Sequence, residues 1–170
     1  MRGRSKDNLN LFNDPSIVKL LDSSQTLSDS FEFSGSVERV NTDKSKEEYT
    51  LLISDKCLYF LKNKIEHLKL PITNVLGITK LLKHNSKDII IHINTEYDWY
   101  LESKHTEEII NFIKLNYLHL THKKLPIYGV KDKIEEYISS NKISNISSES
   151  CIIPNCMSNV KCRLYYCLRR

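Results

Sequence analysis

Two different spacings of apolar residues divide the first part of the chain. Asp14 and Pro15 are followed by apolar residues at Ile17, Val18, Leu20 and Leu21. Since Asp caps helices and Pro suits the first helical position, this pattern predicts a short N-terminal helix. Residues 22–30 are rich in Ser, Asp and Thr and indicate a linker. From Phe31 onward apolar and polar residues alternate, which is typical of half-buried strands.

A series of short apolar runs then continues to residue 101. The predicted strands cover residues 31–39, 49–53, 57–61, 65–70, 72–78, 89–93 and 97–101. The polar connections at 54–56 and 94–96 are short enough for hairpins. Short strands at this close spacing predict a β-barrel or sandwich of about seven antiparallel strands.

One amphipathic helix is predicted after the strands. Ser103 is expected to be its N-cap, and Glu107 and Glu108 lie near the positive end of its dipole. The apolar stripe that recurs at helical spacing consists of Ile109, Phe112, Ile113, Tyr117 and Leu120. Strands followed by a single helix predict an α+β fold, a barrel capped by a C-terminal helix.

The remaining residues complete the predicted organisation. Residues 125–130 are expected to pack on the domain as an extended segment, and residues 132–138 to add a helical turn or two. The predicted segments are an N-terminal helix and linker (1–30), the folded domain (31–131), a short helix with a Ser/Asn-rich linker (132–150) and a Cys/Arg-rich tail (151–170).

The formal net charge of +4 is unevenly distributed. Residues 1–150 sum to zero and the last twenty residues carry the whole excess, so the body is not expected to bind nucleic acid. No stretch approaches the roughly 18–20 apolar residues of a membrane span. The basic N-terminus lacks a signal-peptide core and a myristoylation site. The body contains only Cys57, as expected of a cytoplasmic protein without disulfides.

The other four cysteines lie in the tail, with four, five and four residues between them. This spacing is loose for a zinc site, which usually pairs its cysteines through tight knuckles. The neighbouring arginines and aromatic residues also suit acylation beside an anionic leaflet. A disordered tail is the interpretation that we favour. The four residues are Cys151, Cys156, Cys162 and Cys167.

No arrangement of residues predicts catalysis. Cys57 and His92 are expected to be buried strand residues, and Asp98 a hairpin residue. His119 and His122 could bind a metal, although capping of the helix end is the simpler interpretation. The chain lacks an ATP-binding loop of the G-x-x-x-x-G-K type. We therefore expect no enzyme activity, cofactor, metal or small-molecule substrate.

Several motifs in register resemble a known family. Residues 13–21 are similar to a short leading helix, 33–41 to a first strand, and 52–59 (LISDKCLY) to a hairpin of the form T-D-K-a-L-Y. Residues 91–98 (IHINTEYD) resemble its "viHv…yDy" hairpin. Over residues 8–131 the chain thus resembles the tail homology 1 (TH1) domain of class I myosins, a module related to pleckstrin-homology (PH) domains.

The resemblance implies binding of anionic phospholipid headgroups, phosphoinositides in particular, through basic residues around the first strands. Arg39 matches the basic position of the first strand. Cations of this kind each add on the order of 1 kcal/mol at a charged membrane. With the lysines of the following loop and of the next hairpin, the candidate headgroup-binding residues are Arg39, Lys44, Lys46, Lys62 and Lys64. Glu48 and Tyr49 replace the basic pair that the family has at the start of the second strand, and Glu47 adds a second acid beside them.

Two functions remain open at this point. The first is a non-catalytic module that is peripheral at the membrane and links anionic phospholipids to the cytoskeleton, with a cytoskeletal or motor protein as a further partner. The second is a protein-interaction module of the cytoskeleton that has lost the lipid pocket. A connected positive patch would favour the first, and lysines interrupted by Glu47 and Glu48 would favour the second.

Overall fold

A computed structural model describes residues 5–22, 29–94 and 97–138 of the chain. Its strands are β1 (Lys6–Asp7), β2 (Phe31–Val40), β3 (Lys46–Ser54), β4 (Cys57–Lys62), β5 (Ile65–Pro71), β6 (Val75–Leu81), β7 (Asp88–Ile93), β8 (Trp99–Glu102) and β9 (Ile127–Val130). Its helices are α1 (Pro15–Asp22) and α2 (Thr106–Thr121), with 3₁₀ turns at Ile72–Asn74 and Ile134–Tyr137.

The strands form one mixed sheet in the order β5-β4-β3-β2-β8-β7-β6-β9, and β1 also pairs with β2. The pairs among β2 to β8 are antiparallel, whereas β1–β2 and β6–β9 are parallel. The sheet has nine strands rather than about seven. The short segment before α1 adds β1 beside β2, and the segment after α2 adds β9 to the edge at β6.

The long strand β2 allows the sheet to bend around a core. β2 pairs with β3 along most of its length but meets β8 only at Glu38 and Arg39, while Phe33 and Ser34 pair with β1. Side chains from both halves of the sheet enter one buried cluster together with α2. Since apolar faces from distant strands share this core, the sheet is curled into a barrel-like shell.

Helix α2 covers one side of this core with the predicted apolar stripe. Ile109 and Ile113 are fully buried, and Phe112 packs with its ring 5.6 Å from that of Phe33. The prediction that Ser103 caps the helix is wrong, because the helix starts three residues later and the N-cap is His105. The Ser103 hydroxyl instead donates to the Ser36 carbonyl of β2 at 3.1 Å.

Helix α1 packs on the outer face of the sheet. The Asp14 carboxylate accepts a hydrogen bond from the Ser16 amide at 2.9 Å, so it caps the helix as predicted. Ile17 and Leu21 enter a second apolar cluster with side chains of β3 and β4 such as Leu52 and Tyr59. Burial on the sheet stabilises this eight-residue helix, which is too short to be stable alone in water.

The segment after α2 adds β9 to the edge of β6. Ile78 and Ile127 are register partners, and the Leu82 amide donates to the Val130 carbonyl at 2.6 Å. A Cβ at Gly77 would lie 3.0 Å from the Tyr128 ring, so glycine allows this close approach without a shift of the ring. The strand predicted over 72–78 begins only at Val75, since residues 72–74 form a 3₁₀ turn.

The tail cysteines Cys151, Cys156, Cys162 and Cys167 and most of the predicted 132–150 linker lie outside the described residues. The same holds for part of the linker before β2 and for the tip of the 94–96 hairpin. The division of the chain into four segments stays a prediction.

Candidate functional site

The predicted basic residues lie around one end of the barrel, which we call the mouth: the β2–β3 loop (41–45), the β4–β5 turn (63–64) and the adjoining strand ends. Asn63 and Lys64 both have positive φ angles, 51° and 64°, as a two-residue type I′ hairpin turn requires. Lys44 also has a positive φ of 66°. Lysine occupies such positions less easily than glycine does.

Two of the five cations face into the mouth over an aromatic floor. The Arg39 guanidinium lies 4.2 Å from the Trp99 ring centroid, and the Lys62 ammonium lies 4.8 Å from that of Tyr49. The two rings are packed edge to face at 5.4 Å, with Phe60 beside them. Cation–π contacts of this kind hold both charged groups at the surface of the core.

An acid, Glu47, lies between these two cations. It is the register partner of Arg39 on β3, and its carboxylate accepts a hydrogen bond from the Lys62 ammonium. The same carboxylate accepts two further hydrogen bonds, one from Asn41 Nδ2 at 3.0 Å and one from the Tyr49 hydroxyl at 3.1 Å. The Lys62, Asn41 and Tyr49 hydrogen bonds together lower the pKa of Glu47 to about 2. The mouth therefore contains a permanent negative charge.

The other cations of the five point elsewhere. Lys46 lies on the outer face of the sheet, where its ammonium is 2.8 Å from Glu102 and 3.4 Å from Glu38; the Glu102 contact raises its pKa. Lys64 forms an ion pair with Asp14, the cap of α1. Lys44 is exposed at the loop tip and forms no ion pair with any described residue. The structure thus brings together only Arg39 and Lys62.

An open groove of about 470 Å³ adjoins the mouth along β3, β4 and the β4–β5 turn. Lys62, Lys64 and Glu48 are among its lining residues. The Glu48 carboxylate accepts a hydrogen bond from the Ser36 hydroxyl at 2.8 Å and stays exposed. A positive patch connecting all five cations does not form, because acids separate or neutralise most of them.

A second carboxylate network, which the sequence did not reveal, is formed by Asp29, two residues before β2. Asp29 accepts hydrogen bonds from the Tyr59 hydroxyl at 2.6 Å and the Ser54 hydroxyl at 3.1 Å, and Lys56 is 3.5 Å away. Burial opposes ionisation of Asp29, yet the Tyr59 and Ser54 hydrogen bonds lower its pKa overall. Its side chain is only 2% exposed. The only signals of this network in the sequence are two polar side chains, Tyr59 within a predicted strand and Ser54 in the predicted turn before it.

Cys57 lies beside this network and is buried, as predicted. Burial raises the pKa of its thiol to about 11, and the neighbouring Asp29 adds to the effect. A thiol of this kind is protonated near neutral pH and is a poor nucleophile.

His92 and Asp98 form a fully buried chain with Thr79. His92 Nδ1 is 2.8 Å from the Asp98 carboxylate and its Nε2 is 2.8 Å from the Thr79 hydroxyl. Because a carboxylate only accepts, Nδ1 carries the proton, and in the neutral ring Nε2 accepts from Thr79. The order of groups is that of a nucleophile–base–acid triad, but Thr79 and His92 are 0% exposed and no substrate reaches them. These hydrogen bonds join β6 and β7 to the segment before β8.

Among residues 5–22, 29–94 and 97–138 no group of three potential metal ligands is found. Within the same ranges no helix is long and apolar enough to cross a membrane.

Comparisons with known proteins rest on structure alone. No protein-family model matches the chain, and no curated protein matches it significantly by sequence. The hSac2 domain of the human phosphoinositide phosphatase Sac2 aligns with a TM-score of 0.50 and 16% identity, over 70% of this chain and 86% of that one.

Two other solved structures align less closely. The Slm1-PH domain in complex with inositol-4-phosphate has a TM-score of 0.43 and 12% identity, over 52% of this chain and 95% of that one. The Toxoplasma gondii inner membrane complex protein ISP3 has a TM-score of 0.43 and 10% identity, over 51% and 75%. The curled sheet with α2 on its core and the likeness to the hSac2 domain give this chain a PH-like fold.

Proposed function

We propose that this chain is a non-catalytic, PH-like module that binds anionic phospholipid headgroups, phosphoinositides in particular, at a membrane surface. The observation that carries the proposal is the pair Arg39 and Lys62, two cations that face into the barrel mouth over Trp99 and Tyr49. A guanidinium and an ammonium at one opening supply the charge-assisted donors that a phosphate group takes.

The positive φ angles at Lys44 and Lys64 support this proposal. Lysine is more costly than glycine or asparagine at such positions, and the two side chains lie on the loop and the turn that border the mouth. The solved complex of the Slm1-PH domain contains inositol-4-phosphate, a ligand of the same general kind as the headgroup proposed for this chain.

The finer assignment extends the sequence resemblance. We propose that the module is TH1-like, that it works in the cytoplasm at the membrane or cytoskeleton, and that cytoskeletal or motor proteins are further partners. The residues proposed to contact the headgroup are Arg39, Lys44 and Lys62, with Lys46 and Lys64 contributing after release from their acidic partners.

The test is co-sedimentation with vesicles of phosphatidylcholine containing phosphatidylinositol 4,5-bisphosphate, across a salt series. We expect salt-sensitive binding that falls by at least tenfold in the double variant Arg39→Gln/Lys62→Gln, since each charge at the membrane contributes about 1 kcal/mol. The control, Lys114→Gln/Lys123→Gln, removes the same charge from exposed positions on and just after α2. Equal losses in both variants would contradict the site.

A second candidate function is a protein-interaction module that does not use the mouth for lipid. The ion pairs of Lys46, Lys62 and Lys64 with Glu102, Glu47 and Asp14 favour it, because they leave little free positive charge. Absence of vesicle binding by the folded protein at low salt would select this candidate.

A further inference from the structure

The Glu47 carboxylate has the surroundings of a bound anion. Its three partners are an ammonium, an amide and a phenol, from Lys62, Asn41 and Tyr49. Each belongs to a different part of the mouth: the end of β4, the β2–β3 loop and the core face of β3. Donors of these types, converging on one point, are the set that a phosphate oxygen takes in a binding site.

Glu47 is also ionised at every physiological pH. The Lys62 hydrogen bond, together with those from Asn41 and Tyr49, holds its pKa at about 2. The Lys62 pKa is raised in turn by the same contact. Both partners thus stay charged, and the contact does not open by titration between pH 5 and 8.

The ion pair of Lys62 and Glu47 is exposed enough for another anion to replace the Glu47 carboxylate. The side chains of Lys62 and Glu47 are 44% and 40% exposed, so water reaches the ion pair and screens it. Asn41 also donates to the Ser45 hydroxyl at 3.0 Å, and the backbone of the loop closes on itself between Asn41 and Ser45. The loop therefore keeps a turn of its own when Glu47 moves away.

We propose that Glu47 is an intramolecular counter-ion that occupies the donor set of the mouth and sets which headgroups can bind there. A headgroup must displace Glu47, so the observed affinity is reduced by the fraction of molecules in which the mouth is free. This inference rests on the proposed function and specifies which headgroups the mouth selects.

The expected ligand class follows from charge. A headgroup with a single phosphate or carboxylate offers little more charge than Glu47 already supplies at high local concentration. A headgroup with several phosphates brings more negative charge than the carboxylate it displaces and still engages Arg39 and the loop lysine. The mouth is therefore selective for multiply phosphorylated inositol headgroups over phosphatidylserine of equal surface charge.

The test compares Glu47→Gln with the wild-type chain. Gln is nearly the same size and keeps one of the two acceptor oxygens, but its charge is gone. We expect Glu47→Gln to bind phosphatidylinositol 4,5-bisphosphate vesicles about fivefold more tightly, the effect of one charge at such a surface. We also expect its preference over phosphatidylserine vesicles of matched charge to decrease.

The matched control is Glu66→Gln, which removes the same charge from an exposed position on β5 near the same end of the barrel. Its affinity gain should be clearly smaller. Trp99, the only tryptophan of the chain, supplies a local signal, since its ring forms the floor under Arg39. Its fluorescence should change when soluble inositol 1,4,5-trisphosphate is added, and at lower concentration in Glu47→Gln.

The outcomes separate this inference from the proposed function. If the wild type binds and Glu47→Gln gains no more than Glu66→Gln, the counter-ion role is wrong and the proposed function stands. If neither the wild type nor Glu47→Gln binds while both remain folded, both ideas are wrong. Binding that is detectable only in Glu47→Gln supports the counter-ion role and shows that the wild-type mouth is closed to these lipids.

Discussion

Glu47 and Asp29 are carboxylates with similar partners in contrasting surroundings. Each accepts a hydrogen bond from a tyrosine hydroxyl, each lies near a lysine, and each has a lowered pKa. The Glu47 side chain is 40% exposed, whereas that of Asp29 is 2% exposed. Water can reach the ion pair of Glu47 and Lys62, but it cannot reach the Tyr59 and Ser54 hydroxyls that bind Asp29.

This difference assigns the two networks to different tasks. Breaking the Asp29 network removes hydrogen bonds from buried hydroxyls, which is costly, so the network stabilises the attachment of Asp29 to β3 and β4. Breaking the contact between Glu47 and Lys62 leaves two solvated charges, which costs little, so the Lys62 ammonium can be offered to a ligand. Similar chemistry thus supports folding at one place and recognition at the other.

The largest effect is expected from Asp29→Ala. The buried Tyr59 hydroxyl would lose its acceptor at 2.6 Å, whereas the Ser54 hydroxyl can still donate to the Cys57 carbonyl at 3.2 Å. A buried polar group that loses its hydrogen bond costs about 1–3 kcal/mol. We expect a loss of roughly 2–3 kcal/mol in the free energy of unfolding, measured by urea denaturation at pH 7. Asp29→Asn, which keeps one acceptor oxygen, should lose less. A change below about 0.5 kcal/mol, typical of surface sites, would remove the contrast with Glu47.

A smaller loss of stability is expected from Thr79→Val. This variant tests whether burial, rather than charge, determines how much unfolding free energy is lost with a hydrogen bond. The substitution keeps the shape but takes the hydroxyl donor from His92, both residues being 0% exposed. We expect a loss of about 1–2 kcal/mol in urea denaturation and unchanged vesicle binding. Thr50→Val, at a half-buried position on β3, is the control and should change stability by less than about 0.5 kcal/mol. Equal losses would contradict the role of burial.

The smallest effect on stability is expected from Glu47→Gln, and it depends on pH. A carboxyl with a lowered pKa stabilises the fold above its ordinary value of 4.5, and this contribution is lost as the pH falls towards about 2. The difference in unfolding free energy between wild type and Glu47→Gln should therefore be constant above pH 5 and decrease to nothing near pH 2. Urea denaturation across this range measures it, and a difference that grows on acidification contradicts the assignment.

The sequence predicted most local elements correctly, since their signals lie within a few residues. The Asp14-Pro15 start of α1, the alternation in β2 and the apolar stripe of α2 depend on neighbouring positions. Errors occurred where tertiary contacts override such signals. Ser103 has the features of an N-cap, but its hydroxyl donates to a carbonyl of β2. Residues 72–74 form a 3₁₀ turn before β6 begins.

The candidate site was predicted less completely than the fold. The five cations lie on neighbouring strand ends and turns, but which of them face the mouth depends on the direction of each side chain and on acids that are distant in sequence. Lys64 pairs with Asp14, fifty residues away, and Lys46 with Glu102 on another strand. No local pattern contains such pairs.

By itself, the sequence determined the order of elements and the apolar faces that build the core, because period and turn chemistry are local properties of the chain. It also placed Glu47 next to the expected basic site. Only the tertiary structure decided that Glu47 lies among Lys62, Asn41 and Tyr49 while Asp29 is buried against Tyr59 and Ser54, because burial depends on which distant segments cover a group. Solvent access then determines whether a carboxylate stabilises the fold or can be displaced from it.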